Sequence, residues 1–128
     1  MDSNIIQKYK KYSIPQLQGM ATRRFNKFIR ERDKDDGCIS CGKQIDQAGH
    51  FYSAGKHPEL RYHEFNVNGQ ETYCNKHLSG NLNEYRRNLE KKIGLDELKK
   101  LDETADYWKC HIWHWDRFYL IDIIEKYK

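Results

Sequence analysis

At 128 residues, with 38% apolar and 33% charged side chains, the chain has the length of one domain, and its modest core would gain from a staple such as a metal. The net charge of +4 is too small to identify a partner, but nine basic residues against two acidic ones lie between Lys8 and Lys34, whereas the segment after Leu101 is mildly acidic. The start, "MDSNIIQKYKKYS", has no apolar stretch of signal-peptide length, and no run is long enough to cross a bilayer, so a soluble intracellular protein with reduced thiols and no membrane partner is expected.

Residues 16–34 read as a helix. Leu17, Ala21, Phe25 and Phe28 recur at spacings of four, four and three, while Arg23, Lys27, Arg30 and Lys34 form a basic stripe elsewhere on the cylinder. After "DDGC" the chain becomes glycine-rich, and "QAGHFYS" and "LRYHEF" are two extended candidates joined by a loop with Gly55 and Pro58. A second helix is predicted from about Tyr73, because Leu78, Leu82, Tyr85, Leu89 and Ile93 keep helical spacing until Gly94. Leu95 to Leu101 reads as a short helix, and "DRFYLIDIIEKY" as a last one with Asp116 as its N-cap.

The chemistry sits in the middle of this order. Cys38 and Cys41, spaced Cys-x-x-Cys before a glycine, are placed as two thiolates converging on one zinc, which takes four ligands of N, S or O type. Cys74 at the start of the second helix is the natural third. The residue that would complete a second Cys-x-x-Cys is Glu71, so a Cys3Glu site competes with one closed by Cys110 or a C-terminal histidine.

"FNKFIRERD" (25–33), "CISCG" (38–42), "AGHF" (48–51), "HPELRY" (57–62) and "CNKHLSGNLNEYRRNL" (74–89) stand in the order and spacing of the bacteriophage NinG family, also called Rap recombinases, and the chain resembles that family over roughly residues 17–94. The resemblance implies an α+β fold with a zinc-stapled ββα-metal core of HNH-like, treble-clef type, about 36–94, flanked by helices in a single domain over 1–128. It also implies a metal-dependent endonuclease acting on branched DNA such as Holliday junctions during phage recombination, in the host cytoplasm. Two positions depart from the family picture. Glu71 replaces a cysteine of the second zinc pair, and Gly49 stands where many HNH nucleases have a metal-binding aspartate.

Phosphodiester hydrolysis needs a base for water and a divalent cation, Mg²⁺ or Mn²⁺, for the developing charge. On the resemblance His50 is the base and Asn75 a ligand of the cation, while Asn66 ties the loop to the hairpin and orients the base. His57 contacts the scissile phosphate or shares the base role, or is simply a turn histidine. Asp46 could replace the missing strand carboxylate. His77, two helix positions from Asn75, should face away, and His63 should face solvent. Cys110, His111 and His114 lie outside the resemblance, among three tryptophans whose expected job is packing. Arg23, Lys27, Arg30 and Lys34, with Arg61, Arg86 and Arg87, are the expected phosphate contacts, neutralising the backbone without reading bases. Symmetric junction resolution favours a homodimer. The rival reading is a zinc-finger-like DNA-binding or architectural protein that has lost catalysis.

Overall fold

Asp2 opens the first helix, α1 (Ser3–Tyr9), by accepting the Asn4 N–H at 2.7 Å. Ser13 and Gln16 then cap α2 (Ile14–Asp33) reciprocally: the Ser13 N–H donates to Gln16 Oε1 and the Gln16 N–H to Ser13 Oγ. The computed structural model describes all residues 1–128, and they divide into two compact units.

The first unit comprises Met1–Phe25 and His114–Lys128. It holds α1, the first turns of α2, and α5 (Arg117–Lys126), and it buries Tyr9, Leu17, Ala21, Phe25, Leu120, Ile121 and Ile124. Asp116 caps α5 as expected, accepting the Phe118 and Tyr119 N–H groups. Arg117 donates to the Tyr9 and Tyr12 carbonyls, which the end of α1 leaves without intrahelical partners.

The second unit, Asn26–Trp113, contains the segment expected to form the core domain. Strands β1 (Gln47–His50) and β2 (Val67–Gln70) form an antiparallel pair with Gln47 opposite Gln70 and His50 opposite Val67. Between them run a strap and a 3₁₀ turn, Pro58–Leu60; after them come a π-helical turn, Tyr73–His77, and helices α3 (Leu82–Ile93) and α4 (Leu95–Lys109). Leu60, Tyr85, Leu89, Leu98, Leu101 and Ala105 form the core, with Ile39, Phe51, Tyr52 and Ile93 packed against it. The result is a helix-rich α+β chain, and none of its helices is long and apolar enough to cross a membrane.

Three sequence expectations are corrected here. "LRYHEF" is not a strand: Leu60 closes the 3₁₀ turn, and the Leu60 and Arg61 carbonyls accept from side chains instead of from a neighbouring strand. The partner of β1 is the polar segment from Val67 to Gln70, buried along its whole length. The helix predicted from Tyr73 is broken at Ser79, Gly80 and Asn81, all with positive φ, and α4 runs eight residues further than the short helix expected to end at Leu101, to Lys109.

Candidate functional site

The metal-ligating chemistry starts with a tight turn. The Gly42 N–H donates to the Cys38 carbonyl and the Cys38 N–H to the Lys43 carbonyl, while Gly37 and Gly42 both take positive φ. A side chain at Gly37 would meet the Gly42 carbonyl oxygen at 2.6 Å, so this crossing requires glycine. The turn brings Cys38 and Cys41 together, and the π-helical turn delivers Cys74, so that the three sulfurs lie within 4.8 Å of one another. Four tetrahedral donors at a Zn–S length of about 2.3 Å would hold sulfurs about 3.8 Å apart, which this cluster fits.

Glu71 Oε1 lies 3.1 Å from Cys41 Sγ and 3.6 Å from Cys74 Sγ. The carboxylate thus lies beside two of the three sulfurs, while the close group of possible ligands is the three cysteines, and Cys110, exposed beyond α4, does not join it. The electrostatics differ among the thiols. Burial alone would raise Cys38, but the N–H groups of Glu71, Cys41 and Ser40 outweigh it and favour its thiolate. Desolvation, with Glu71, Cys74 and Cys38 as neighbours, pushes the Cys41 thiol up to about 12, and Cys74 is raised chiefly by desolvation. A thiophilic cation entering here must displace protons, and three thiolates with one carboxylate are a donor set suited to zinc.

One buried amide ties this centre to the hairpin. Gln70 Nε2 donates to Ser40 Oγ at 2.9 Å and to the Gly80 carbonyl at 2.8 Å, while the Gly80 N–H returns to the Cys74 carbonyl. The same side chain bears on Gly49: a Cβ there would lie 1.8 Å from Gln70 Oε1, so any side chain at that strand position requires the buried Gln70 amide to move. A second network sits at the end of α2. Asp33, 1% exposed, takes two bonds from Arg32 and one each from Lys92 and the Gly69 N–H. Burial alone would raise this carboxyl, but the two cations and the amide hold it below the ordinary carboxylate range. Neither Gln70 nor Asp33 was singled out from the sequence, where each reads as an ordinary surface polar residue.

His50 ends β1, and its Nε2 lies 3.0 Å from the Arg61 carbonyl. A carbonyl only accepts, so Nε2 carries the proton and the lone pair sits on Nδ1. Burial lowers the His50 pKa, which favours the neutral ring. Asn66 pins the same strap: its Nδ2 donates to the Tyr52 and Leu60 carbonyls, and its Oδ1 accepts the Tyr52 N–H. Tyr85, fully buried, donates its hydroxyl to the Gly49 carbonyl at 2.7 Å.

Asn75 lies on the π-helical turn that follows the hairpin. Its Nδ2 donates to Gln47 Oε1 at 2.6 Å, at the opposite end of β1 from His50, and the pleat puts Gln47 and His50 on opposite faces. The structure does not bring Asn75 and His50 together. Asp46 accepts from the Thr72 hydroxyl at that same end. His57 packs edge-on against Tyr52 at 4.8 Å with Nδ1 3.5 Å from Glu59 Oε1, and His77 stacks on Tyr73. His63 is exposed, as expected.

Of the expected phosphate contacts, Arg23, Lys27 and Arg30 are exposed on α2 and Lys34 in the turn just after it, and Arg61 is partly buried over Tyr62. Arg86 is committed elsewhere, with both terminal nitrogens on the Asp102 carboxylate, which also accepts from the Tyr52 hydroxyl. Arg87 pairs with Glu84 on the surface.

These features define a small α+β protein with a cluster of three cysteines, close enough to hold a metal ion, locked to a short hairpin. The chain belongs to the NinG family of phage proteins: the family model described as Bacteriophage Lambda NinG protein matches residues 3–128. It is 40% identical over 109 residues to Protein ninG of Salmonella phage P22, covering 83% of this chain and 50% of that protein. It is also 40% identical over 100 residues to Protein ninG of Escherichia phage lambda, covering 76% of this chain and 47% of that one. The chain thus spans about half the length of the curated relatives it matches. No solved structure matches it significantly.

Proposed function

We propose that the chain is a metal-dependent endonuclease of HNH-like, ββα-metal type that cuts branched DNA, with a structural zinc held by Cys38, Cys41, Cys74 and Glu71. The observation that carries the reading is His50, a neutral imidazole held by the Arg61 carbonyl with its lone pair on Nδ1, on a hairpin pinned by Asn66. Nδ1 takes the proton of a water whose oxygen attacks phosphorus, and the phosphorus bond to the leaving sugar oxygen breaks. A bound Mg²⁺ or Mn²⁺ supplies charge stabilisation at the leaving oxygen. Asn75, the cation ligand expected from the family resemblance, is held by Gln47 at the other end of β1 and stands apart from His50 in this reading. The exposed stripe of α2 supplies phosphate contacts that fix the DNA without reading bases. His57 belongs to the strap that carries His50's acceptor.

A second reading, a DNA-binding protein without catalysis, is favoured by one observation: Gln70 fills the position of the missing strand carboxylate at Gly49. A synthetic four-way junction, incubated with Mg²⁺ or Mn²⁺ and with chelator, separates the two. The nuclease reading expects metal-dependent nicking that His50→Ala reduces about a hundredfold or more with binding and zinc content unchanged. It also expects cleavage to rise with pH through a value below the ordinary histidine range and then level off. Binding without nicking establishes the second reading, and a His50→Ala variant that cuts at the parental rate removes His50 from catalysis.

A further inference from the structure

Two buried polar atoms on the strap between β1 and β2 lack a hydrogen-bond partner: His57 Nδ1 and Glu59 Oε2. The Glu59 side chain is 3% exposed and that of His57 16%. The other oxygen of the same carboxylate, Glu59 Oε1, lies 3.5 Å from His57 Nδ1, too long for a charge-assisted hydrogen bond, which closes to about 2.7–2.9 Å. A buried carboxylate left in this state is costly, and such an orphan calls for an ion or a water. The backbone holds the two side chains in place. The His57 N–H donates to Ser53, the Leu60 N–H to His57 and the Arg61 N–H to Pro58, while Asn66 holds the Leu60 carbonyl. The Tyr52 ring backs the imidazole.

An imidazole nitrogen and a carboxylate oxygen bound to one cation at about 2.0–2.2 Å stand roughly 3.0–3.5 Å apart, depending on octahedral or tetrahedral angles. We propose that His57 and Glu59 are a second metal site, taking a divalent cation by one nitrogen and one carboxylate, with water completing its shell. Its hard N/O donors set it apart from the thiolate centre and suit Mn²⁺. The Arg61 carbonyl that receives His50 Nε2 lies two residues beyond Glu59. As the source of the cleavage cation, the site rests on the nuclease reading; as a metal site it does not.

The test is titration of Mn²⁺ into the zinc-loaded full chain, followed by the loss of the free-ion paramagnetic resonance signal. The expected result is one Mn²⁺ per chain, bound tenfold or more weakly in Glu59→Gln and in His57→Ala. Substoichiometric Mn²⁺ should also broaden the His57 ring resonances first among the six histidines, which decides the matter in the parent chain if a variant does not fold. No bound Mn²⁺, parental affinity in both variants, or broadening centred on another histidine overturns the proposal and leaves a buried histidine–glutamate pair. Junction cleavage is scored separately. Binding at His57 and Glu59 without cleavage keeps the site and removes the nuclease reading, and cleavage with Mn²⁺ bound elsewhere removes the site alone.

Discussion

Replacing Glu71 by alanine removes the carboxylate proposed as the fourth zinc donor, which lies beside Cys41 and Cys74. Structural zinc sites with four donors bind with roughly 10–16 kcal/mol, about 3 kcal/mol per donor, so losing one whole donor costs up to about a hundredfold in affinity. A water can take the open position, as it does where zinc has three protein ligands, which lowers the expected loss to about ten- to a hundredfold. Glu71→Cys completes a second Cys-x-x-Cys with Cys74 and should bind zinc at least as tightly as the parent. The assay is competition with a chromophoric zinc chelator at several pH values. Affinity in the parent should rise with pH, because Cys41 and Cys74 both hold their protons above the ordinary thiol range. If Glu71→Ala keeps parental affinity, the contacts at 3.1 and 3.6 Å are incidental and the fourth ligand is not Glu71.

Asp33→Asn leaves Arg32 and Lys92 facing a neutral amide, and because those cations are still 26% and 31% exposed, the cost should fall at or below the low end of the 3–5 kcal/mol range for a broken buried pair, about 2–3 kcal/mol by urea unfolding. The Asp33 carboxyl is depressed in the folded state, so this stabilisation is complete above the unfolded value near 4 and is lost as pH falls through the lower folded value; an Asn variant as stable as the parent at pH 7 refutes the role. Changing Lys27, Arg30 and Lys34 to Gln should weaken DNA binding on all sequences and reduce the log–log salt slope by about one unit per lost phosphate contact, and an unchanged slope would exclude this face from the DNA.

The cysteine cluster could be read from the chain because ligand spacing is a local property: Cys-x-x-Cys makes its own turn, and Cys74 returns to it from the segment after the hairpin. The second strand could not. "LRYHEF" alternates as a half-buried strand should, whereas the segment from Val67 to Gln70 has one apolar residue and is buried through amide networks that hydrophobic periodicity does not register. The helix break was hidden for the opposite reason. Leu78 and Leu82 extend the apolar pattern of α3, yet they are 42% and 44% exposed and hold nothing in the core. Arg86 offered no sign of its commitment because Asp102 is sixteen residues away on another helix, and Glu59 looks like any surface glutamate until the strap closes over it.

The interruption at Ser79, Gly80 and Asn81 makes helix continuity and metal assembly competitors for one stretch of chain. Were the backbone to run unbroken from Tyr73 to Ile93, the Gly80 carbonyl would turn into the helix ladder and no longer receive Gln70 and Ser40. Cys74 would then be carried on a rigid rod and not on a turn that folds back to the knuckle. Two residues other than glycine in left-handed conformation cost of order 1 kcal/mol each, so local preference favours the rod and only the assembled centre favours the break. In this chain the cysteine cluster, through the Ser40 and Gln70 bonds to the Gly80 carbonyl, acts as punctuation between one helix and the next.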